Sequence, residues 1–233
     1  MFRLAHDGDV ARLVLDRPEA RNAIPAAGWN ELARLLAGVE GRLLILSGEG
    51  GAFCAGADLA DFAAMRGDDA ACARFRRDMR AALDALRALP IPSVARVDGP
   101  CYGAGVALAM ACDIRVAGPD ARFAITPARI GISYPQEDVH RLVALVGPGQ
   151  AARLLFTAAE IDRAEAARIG LIEADAIDEA AILANDPASL AELKRAIRLA
   201  GEGVRCDPEM DRRFDALIGG EALARRLEAK RRK

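Results

Sequence analysis

The stretch "LLILSGEGGAFCAGADL", residues 43–59, joins an aliphatic run to a loop built almost entirely of small residues. An aliphatic run that stops at a glycine is typical of a buried strand followed by a turn. Two further runs, "SVARVDG" (93–99) and "DIRVAG" (113–118), have the same form. Amphipathic helical patterns occupy residues 25–40 and 72–90, with apolar residues every three or four positions. The alternation of strands and helices predicts an α/β fold.

The last part of the chain has a different pattern. From about residue 136 onward the sequence predicts helices only, among them "SLAELKRAIRLA" (189–200) and "GEALARRLEAKRR" (220–232). We therefore expect a core in residues 1–175 that carries the functional site. Residues 176–233 are expected to form a helical region that packs on this core or on a neighbouring subunit.

Composition excludes several classes of function. The chain has 233 residues, 52% of them hydrophobic, and a formal net charge of −2, which argues against a nucleic-acid-binding protein. No apolar run approaches the roughly 20 residues needed to span a bilayer, so no membrane partner is expected. Five cysteines without a CxxC pair indicate reduced thiols in a soluble, cytoplasmic protein. No cluster of ligand residues indicates a metal.

The small-residue loop excludes two common kinds of site and favours a third. A phosphate-binding loop needs a Lys and a hydroxyl after its glycines, and a dinucleotide loop needs GxGxxG directly after a strand. Residues 47–59 provide neither. Glycine and alanine instead let a ligand approach backbone N–H groups closely. Oriented N–H groups stabilise an oxygen that becomes negative during a reaction.

A second loop has the same character. In "VDGPCYGAGVALAMACD" (97–113) a strand ends at Gly99, and "GAG" opens an alanine-rich helix whose first N–H groups face the loop. One N–H group from each loop would form an oxyanion hole with two donors. Each loop taken alone is also compatible with an ordinary tight turn.

Several blocks of the sequence together resemble the crotonase (enoyl-CoA hydratase/isomerase) superfamily. The matching blocks are "LDRPEARNAI" (15–24), "LLILSGEGGAFCAGADL" (43–59), "VDGPCYGAGVALAMACDIRVAGPDARF" (97–123), "RLVALVGPGQAARLLFTAAEIDRAEAARIGLI" (141–172) and "LKRAI" (193–197). The resemblance implies a spiral of ββα turns with a helical C-terminal region that forms trimers, often paired into hexamers. It also implies an acyl-CoA thioester as substrate, an enolate intermediate, and no cofactor apart from the coenzyme A of the substrate.

The resemblance assigns roles to particular residues. The N–H groups of Ala57 and Ala104 would form the oxyanion hole, although the family usually has glycine at position 104. The path of the coenzyme A would be lined by Ala23, Ala55, Gly56, Asp58, Leu59 and Gly103, and Lys230 in the basic tail would contact its phosphates.

Ordinary hydration of an enoyl thioester is not expected. Family hydratases use two glutamates as acid and base, and the corresponding positions here are Ala107 and Pro127. The loss of one positioned acid or base typically lowers a rate by about 10²–10⁴. Decarboxylase-type or isomerase-type chemistry is therefore favoured over hydration.

The segment "TPARIGISYPQEDVHRL" (126–142) contains the candidate replacements. Its first half resembles the corresponding stretch of methylmalonyl-CoA decarboxylases, in which a tyrosine is implicated in the site. Tyr134 would then orient a substrate carboxylate, and decarboxylation needs no base. Alternatively Glu137 or Asp138 acts as a single base for isomerisation, or as a nucleophile as in the dehalogenases of the superfamily. Both acids also suit the first turn of a helix, where they complement its dipole.

One alternative is an ordinary enoyl-CoA hydratase that uses other acids. Another alternative is a subunit that binds acyl-CoA without catalysis. The absence of both glutamates favours it, whereas the chemically rich segment 126–142 argues against it. His140 is interpreted as a surface or interface residue. Cys54 and Cys101 flank the two loops and are interpreted as small packing residues.

Overall fold

The computed structural model of the chain describes residues 1–231. Its strands are β1 (Phe2–Asp7), β2 (Val10–Leu15), β3 (Leu43–Gly48), β4 (Ser93–Val97), β5 (Pro100–Tyr102), β6 (Ile114–Ala117), β7 (Arg122–Ala124) and β8 (Ile161–Asp162). Its α-helices are α1 (Ala26–Ala37), α2 (Leu59–Ala64), α3 (Asp69–Ala88), α4 (Ala104–Ala111), α5 (Gln136–Thr157), α6 (Arg163–Arg168), α7 (Glu179–Leu183), α8 (Pro187–Gly201), α9 (Pro208–Ile218) and α10 (Glu221–Arg231). Short 3-10 turns lie at Pro18–Ala20 and Pro127–Ile130.

The larger sheet has the strand order β1-β2-β3-β4-β6. β1 is antiparallel to β2, and all other neighbours are parallel. The three aliphatic runs of the sequence form β3, β4 and β6, so the predicted α/β fold is confirmed. Because β3 and β4 are parallel, the glycine loops that follow them leave the sheet at the same edge.

The second sheet is small and has the order β5-β7-β8. β5 and β7 are parallel, whereas β7 and β8 are antiparallel. β5 directly precedes α4, so this sheet fixes the start of the helix at which the second small-residue loop ends.

Helices α1 and α3 contact each other and contribute to the main core. Trp29, Leu32 and Leu36 of α1 are buried, as are Met79 and Leu83 of α3. Their spacing of three or four residues places each set on one helix face. The periodic patterns in residues 25–40 and 72–90 therefore correspond to amphipathic helices, as predicted.

Two features of the chain differ from the sequence-based expectation. The expected all-helical segment after residue 136 contains a short strand, β8, where Ile161 pairs with Phe123 of β7. The first 15 residues form the hairpin of β1 and β2, which we did not predict as strands. The signal was present in the sequence, since Gly8 and Asp9 form a two-residue turn between the two runs, and Gly8 has φ +58°.

The C-terminal helices make side-chain contacts with the core. Arg12 of β2 lies 3.0 Å from Glu179 of α7, and Lys194 of α8 lies 2.8 Å from Asp113. Arg42 donates to the carbonyl of Leu183 at 2.8 Å. Across residues 1–231, none of the helices combines the length and hydrophobicity that crossing a membrane requires.

Candidate active site

The two small-residue loops lie directly against each other. Phe53 and Cys54 N–H groups donate to the carbonyl of Pro100 at 3.0 and 3.1 Å, and the Tyr102 N–H donates to the carbonyl of Cys54 at 2.8 Å. A Cβ atom on Gly56 would lie 2.9 Å from the Tyr102 carbonyl oxygen, and the φ of Gly56 is +107°. Only glycine fits this position without strain, which explains why the first loop needs it.

The contact brings two backbone N–H groups to one cavity. Ala57 and Ala104 both line it, and within residues 1–231 no hydrogen bond uses the N–H group of either residue. Ala104 is the first residue of α4, so its N–H group has no partner inside the helix and lies at the positive end of the helix dipole. The two donors are therefore free to bind an oxygen that carries negative charge.

The cavity has a volume of about 220 Å³ and is mainly apolar. Its large apolar side chains are Leu59, Phe62, Phe75, Met79, Ile130 and Ile132, and its polar ones are Arg76, Thr126, Ser133, Tyr134 and Asp138. A mainly apolar wall with few polar groups is typical of a small-molecule site.

Most of the predicted site residues line this cavity. They are Ala55, Gly56, Ala57, Leu59, Gly103, Ala104, Tyr134 and Asp138. Ala107 and Pro127 line it as well, and neither has a side chain that can transfer a proton. Ala23, Asp58, Glu137 and Lys230 are absent from its lining. Lys230 lies exposed in α10.

Asp58 and Ala23 are linked to each other through Arg17. Arg17 donates from Nη1 to Asp58 Oδ2 at 2.7 Å and to the Ala23 carbonyl at 3.0 Å. Asp58 also accepts the Ala60 N–H at 3.0 Å and so caps α2. The hydrogen bond from Arg17 lowers the pKa of Asp58, so this carboxylate is charged at neutral pH. Sequence reasoning missed Arg17, whose role depends on contacts with residue 58.

The structure separates the two neighbouring acids of α5. The side chain of Asp138 is fully buried, whereas that of Glu137 is 59% exposed and points away from the cavity lining. Consecutive helical residues are about 100° apart around the axis, so only one of the two faces inward. Of the two candidate bases, Asp138 is the one at the cavity.

Asp138 combines two ionic contacts with a free oxygen. Its Oδ1 lies 3.3 Å from Nη1 of Arg80 and 3.3 Å from Nη1 of Arg141. Its Oδ2 is buried and has no hydrogen-bond partner among residues 1–231. Burial raises the pKa of Asp138, because the loss of solvation outweighs the opposing effect of Arg80 and Arg141. An incompletely satisfied carboxylate with a raised pKa, at a cavity, is a candidate base.

Tyr134 supports the second loop. Its hydroxyl donates to the carbonyl of Gly103 at 3.0 Å, and the side chain is 9% exposed. That carbonyl belongs to the same peptide group as the Ala104 N–H. Burial, and then the charge of Asp138, raises the pKa of Tyr134 well above 10, so the phenol remains protonated. Its single proton is used in this internal bond.

The cysteines beside the loops are packed in the core. Burial raises the pKa of Cys54 to about 12 and that of Cys101 well above 9. A thiol with such a pKa is a poor nucleophile at neutral pH. All five cysteines are free thiols. Within residues 1–231, no three His, Cys, Asp or Glu side chains come together in a group that could hold a metal ion.

Comparison with known proteins identifies relatives over nearly the whole chain. The chain is 33% identical to the probable enoyl-CoA hydratase echA6 of Mycobacterium tuberculosis, over 94% of this chain and 93% of the relative. It is 31% identical to the short-chain-enoyl-CoA hydratase of Clostridium acetobutylicum, over 95% and 88% of the two chains.

Solved structures agree with these relatives. An enoyl-CoA hydratase/carnithine racemase from Magnetospirillum magneticum matches with a TM-score of 0.92 and 26% identity, covering 99% of this chain and 92% of the other. An enoyl-CoA hydratase from Bacillus anthracis matches with a TM-score of 0.89 and 27% identity, covering 99% and 96%. These matches confirm the predicted crotonase fold.

The family model described as enoyl-CoA hydratase/isomerase matches residues 6–206, a span that includes both small-residue loops, Tyr134 and Asp138. The chain therefore belongs to the enoyl-CoA hydratase/isomerase family of the crotonase superfamily.

Proposed function

We propose that this protein is an isomerase-type enzyme that moves a proton to or from carbon atoms beside the thioester of an acyl-CoA. The acyl group would lie in the 220 Å³ cavity, with its thioester oxygen bound by the N–H groups of Ala57 and Ala104. These donors stabilise the negative oxygen of an enolate more than that of the neutral thioester, which lowers the barrier to removal of a proton.

The observation that carries the proposal is Asp138, which lines the same cavity and whose buried Oδ2 has no hydrogen-bond partner among residues 1–231. One carboxylate beside an oxyanion hole is sufficient for isomerisation, because the base that removes a proton from one carbon can return it to another. Because its pKa is raised, Asp138 holds a proton more strongly than an ordinary carboxylate does. Its proton affinity is therefore closer to what a base needs near neutral pH. Such a reaction uses no metal or redox cofactor.

The lining argues against hydration and against decarboxylation. Addition of water needs a second acid or base, and the family positions for the two glutamates are Ala107 and Pro127, both without a proton to transfer. Decarboxylation needs a donor that holds the substrate carboxylate, but the hydroxyl of Tyr134 is bonded to Gly103. The negative charge of Asp138 would also repel a second carboxylate in the cavity.

Incubation with acyl-CoA thioesters in heavy water tests the proposal. The panel contains crotonyl-CoA, a 3-enoyl-CoA and methylmalonyl-CoA, each followed by mass spectrometry. We expect conversion between 2-enoyl and 3-enoyl isomers with deuterium uptake. Net addition of water, or loss of CO₂ from methylmalonyl-CoA, would show a different chemistry. Tight binding of the thioesters without isotope exchange would support a binding subunit instead.

Replacement of Tyr134 by Phe should have a small effect on this reaction. We expect turnover to fall by less than about tenfold, because the N–H groups of Val106 and Ala107 still bind the Gly103 carbonyl at 3.0 and 3.3 Å. The lost hydrogen bond should destabilise the fold by about 0.5–1.5 kcal/mol. Steady-state kinetics and urea unfolding measure the two effects. A loss of turnover greater than about 10²-fold would indicate that the phenol contacts the substrate.

We further propose that the chain assembles as a homotrimer or a dimer of trimers. Helices α8 and α9 carry large apolar side chains that are exposed in the single chain, including Ile197 (73%) and Phe214 (64%). Contact between subunits would remove this surface from water. Lys230 of α10 remains the proposed contact for the coenzyme A phosphates. We also propose a cytoplasmic location, because the free thiols suit a reducing compartment. Sedimentation equilibrium measures the mass, and a monomer at micromolar concentration would contradict the assembly.

A further inference from the structure

Two adjoining cavities lie at the opposite end of α4 from Ala104. Their volumes are about 250 and 200 Å³, and both are lined by Arg87, Lys194 and Arg198. Neither shares a lining residue with the proposed acyl cavity. Residues 110–112 at the end of α4 line the larger one, about 10 Å along the helix from Ala104 at 1.5 Å per residue. We refer to the two cavities together as the cationic cleft.

Positive charge dominates the cleft. Its cationic side chains are Arg87, Arg115, Arg141, Lys194, Arg195, Arg198 and Arg213, and its carboxylates are Asp113, Glu192 and Glu202. The positive charges exceed the negative ones by four, whereas the whole chain carries a formal net charge of −2. This count covers the lining side chains alone, and carboxylates behind the lining pair with Arg115, Arg141 and Arg213.

Some of these cations have acidic partners in the fold. Lys194 lies 2.8 Å from Asp113, and Arg213 lies 2.7 Å from Glu192. Arg115 pairs with Glu173. These ion pairs stabilise the fold, and they do not involve the other arginines of the cleft.

Three arginines of the cleft lack such an ion pair among residues 1–231, namely Arg87, Arg195 and Arg198. Each is half-buried, and among residues 1–231 no carboxylate lies within 4.0 Å of their guanidinium groups. The Nε of Arg195 is buried without a hydrogen-bond partner in that part of the chain. Partly desolvated charges without partners are costly, so an anion that binds them would relieve this cost.

Arg141 is a further cation at the larger cavity. Its side chain is only 9% exposed and lines the larger cavity. Two of its nitrogens contact Asp138 and Asp84, at 3.3 and 3.1 Å. Its Nε is buried and has no partner among the described residues.

We propose that the cationic cleft is a binding site for a small diphosphate-bearing anion. Guanidinium groups bind phosphate oxygens through paired hydrogen bonds, and three of them converge here from α3 and α8. The larger cavity, at about 250 Å³, has room for a ligand of the size of diphosphate. The described lining contains no Phe, Tyr or Trp for stacking on a nucleobase. The cationic cleft would therefore recognise the phosphates of the ligand and not a nucleobase.

Titration calorimetry with inorganic diphosphate at constant ionic strength tests the site. We expect saturable binding to the full chain that weakens by tenfold or more in the double variant Arg87→Ala/Arg198→Ala, because each arginine supplies charge-assisted hydrogen bonds. Arg77→Ala is the matched control, since Arg77 lies exposed on α3 and outside both cavities. It should bind diphosphate like the unmodified chain. The variant Arg198→Lys keeps the charge, and an intermediate affinity is expected for it.

Measurements with ADP and with coenzyme A distinguish binding in the cationic cleft from binding in the acyl-CoA site. ADP should bind no more tightly than diphosphate, and excess coenzyme A should not displace diphosphate. Displacement by coenzyme A with equal stoichiometry would place the anion in the acyl-CoA site and overturn the proposal, as would equal weakening by Arg77→Ala. Absence of saturable binding would overturn it as well. If diphosphate did not bind and the double variant Arg87→Ala/Arg198→Ala also changed the oligomeric state, the cleft would instead be an interface with an acidic surface of a second copy of the chain.

Discussion

Asp138→Asn is expected to lower the rate of isotope exchange and isomerisation by about 10²–10⁴. Asparagine keeps the shape of the side chain and its contacts with the cavity, but it cannot accept and return a proton. Affinity for the acyl-CoA should change little, because the proposed oxyanion donors at Ala57 and Ala104 are unaffected. Single-turnover kinetics in heavy water, combined with an independent binding measurement, would separate the two quantities.

The pH dependence follows from the direction of the pKa shift. Asp138 acts as a base only when ionised, and burial raises its pKa. The rate of the unmodified enzyme should therefore fall as the pH decreases through this raised pKa, at a higher pH than for an ordinary aspartate. Asp138→Asn should remove this part of the pH–rate profile. The profile is a sharper test than rate alone, because a purely structural role would not abolish it.

Stability should respond in the opposite direction to activity. A carboxyl whose pKa is higher in the folded state contributes stability below its unfolded pKa, and this contribution is lost as the pH rises through the folded value. At neutral pH the charged form of Asp138 is thus disfavoured by folding, so asparagine should not lower the thermal midpoint. Loss of activity together with a lower midpoint would point to a structural role in the Arg80–Asp138–Arg141 cluster.

Glu137→Gln is the matched control for Asp138. Glu137 is the preceding residue of α5, is 59% exposed and lies 4.0 Å from Arg80. Its replacement removes one negative charge at nearly the same place in the chain without changing the cavity wall. We expect activity within about a factor of two of the unmodified enzyme. An equal loss in both variants would mean that general electrostatics, and not a base at position 138, controls the rate.

Gly105→Ala is expected to damage both stability and catalysis. A Cβ atom at position 105 would lie 2.4 Å from the carbonyl oxygen of Cys54 and 2.9 Å from its Cβ. Both neighbours belong to the loop that carries Ala57, so the loop and α4 would have to separate by about 1 Å to reach ordinary contact. Overpacking of this kind costs about 1–3 kcal/mol. A misplacement of about 1 Å between catalytic groups costs about 10²-fold in rate.

Gly149→Ala provides the control for this substitution. Gly149 also lies in a helix, α5, but a Cβ atom there would meet nothing within 4 Å. Its replacement should leave activity unchanged and stabilise the fold by up to about 1 kcal/mol, because alanine restricts the unfolded chain. Urea unfolding and turnover of both variants give the comparison. Normal stability and turnover in Gly105→Ala would contradict the close contact of the two loops.

Local sequence was sufficient to predict the framework of the site. Runs of aliphatic residues that end at a glycine correspond to β3, β4 and β6, and periodic apolar residues correspond to α1 and α3. The two loops that hold the proposed oxyanion donors could also be recognised in the sequence, because the donors are backbone groups. What a backbone donor needs is a small residue in the right loop, and "GAFCAGADL" and "GPCYGAG" show this directly.

Side-chain roles were less predictable, because they depend on groups that are distant in sequence. Asp58 was expected along the coenzyme A path, but it pairs with Arg17, which is 41 residues away. Tyr134 was expected to orient a substrate carboxylate, but its hydroxyl binds Gly103, which is 31 residues away. Neither partner is marked by any local pattern, and each contact exists only because the loops fold against each other.

The sequence by itself determined the α/β core, the two small-residue loops and the absence of glutamate at positions 107 and 127. These properties depend on residue type and on neighbours in the chain. Only the tertiary structure placed Asp138, and not Glu137, at the cavity, and only it brought arginines of α3 and α8 into one cleft. Burial and pairing are set by packing between distant segments: Arg80, 58 residues before Asp138, is one of the two cations that hold this carboxylate at the cavity.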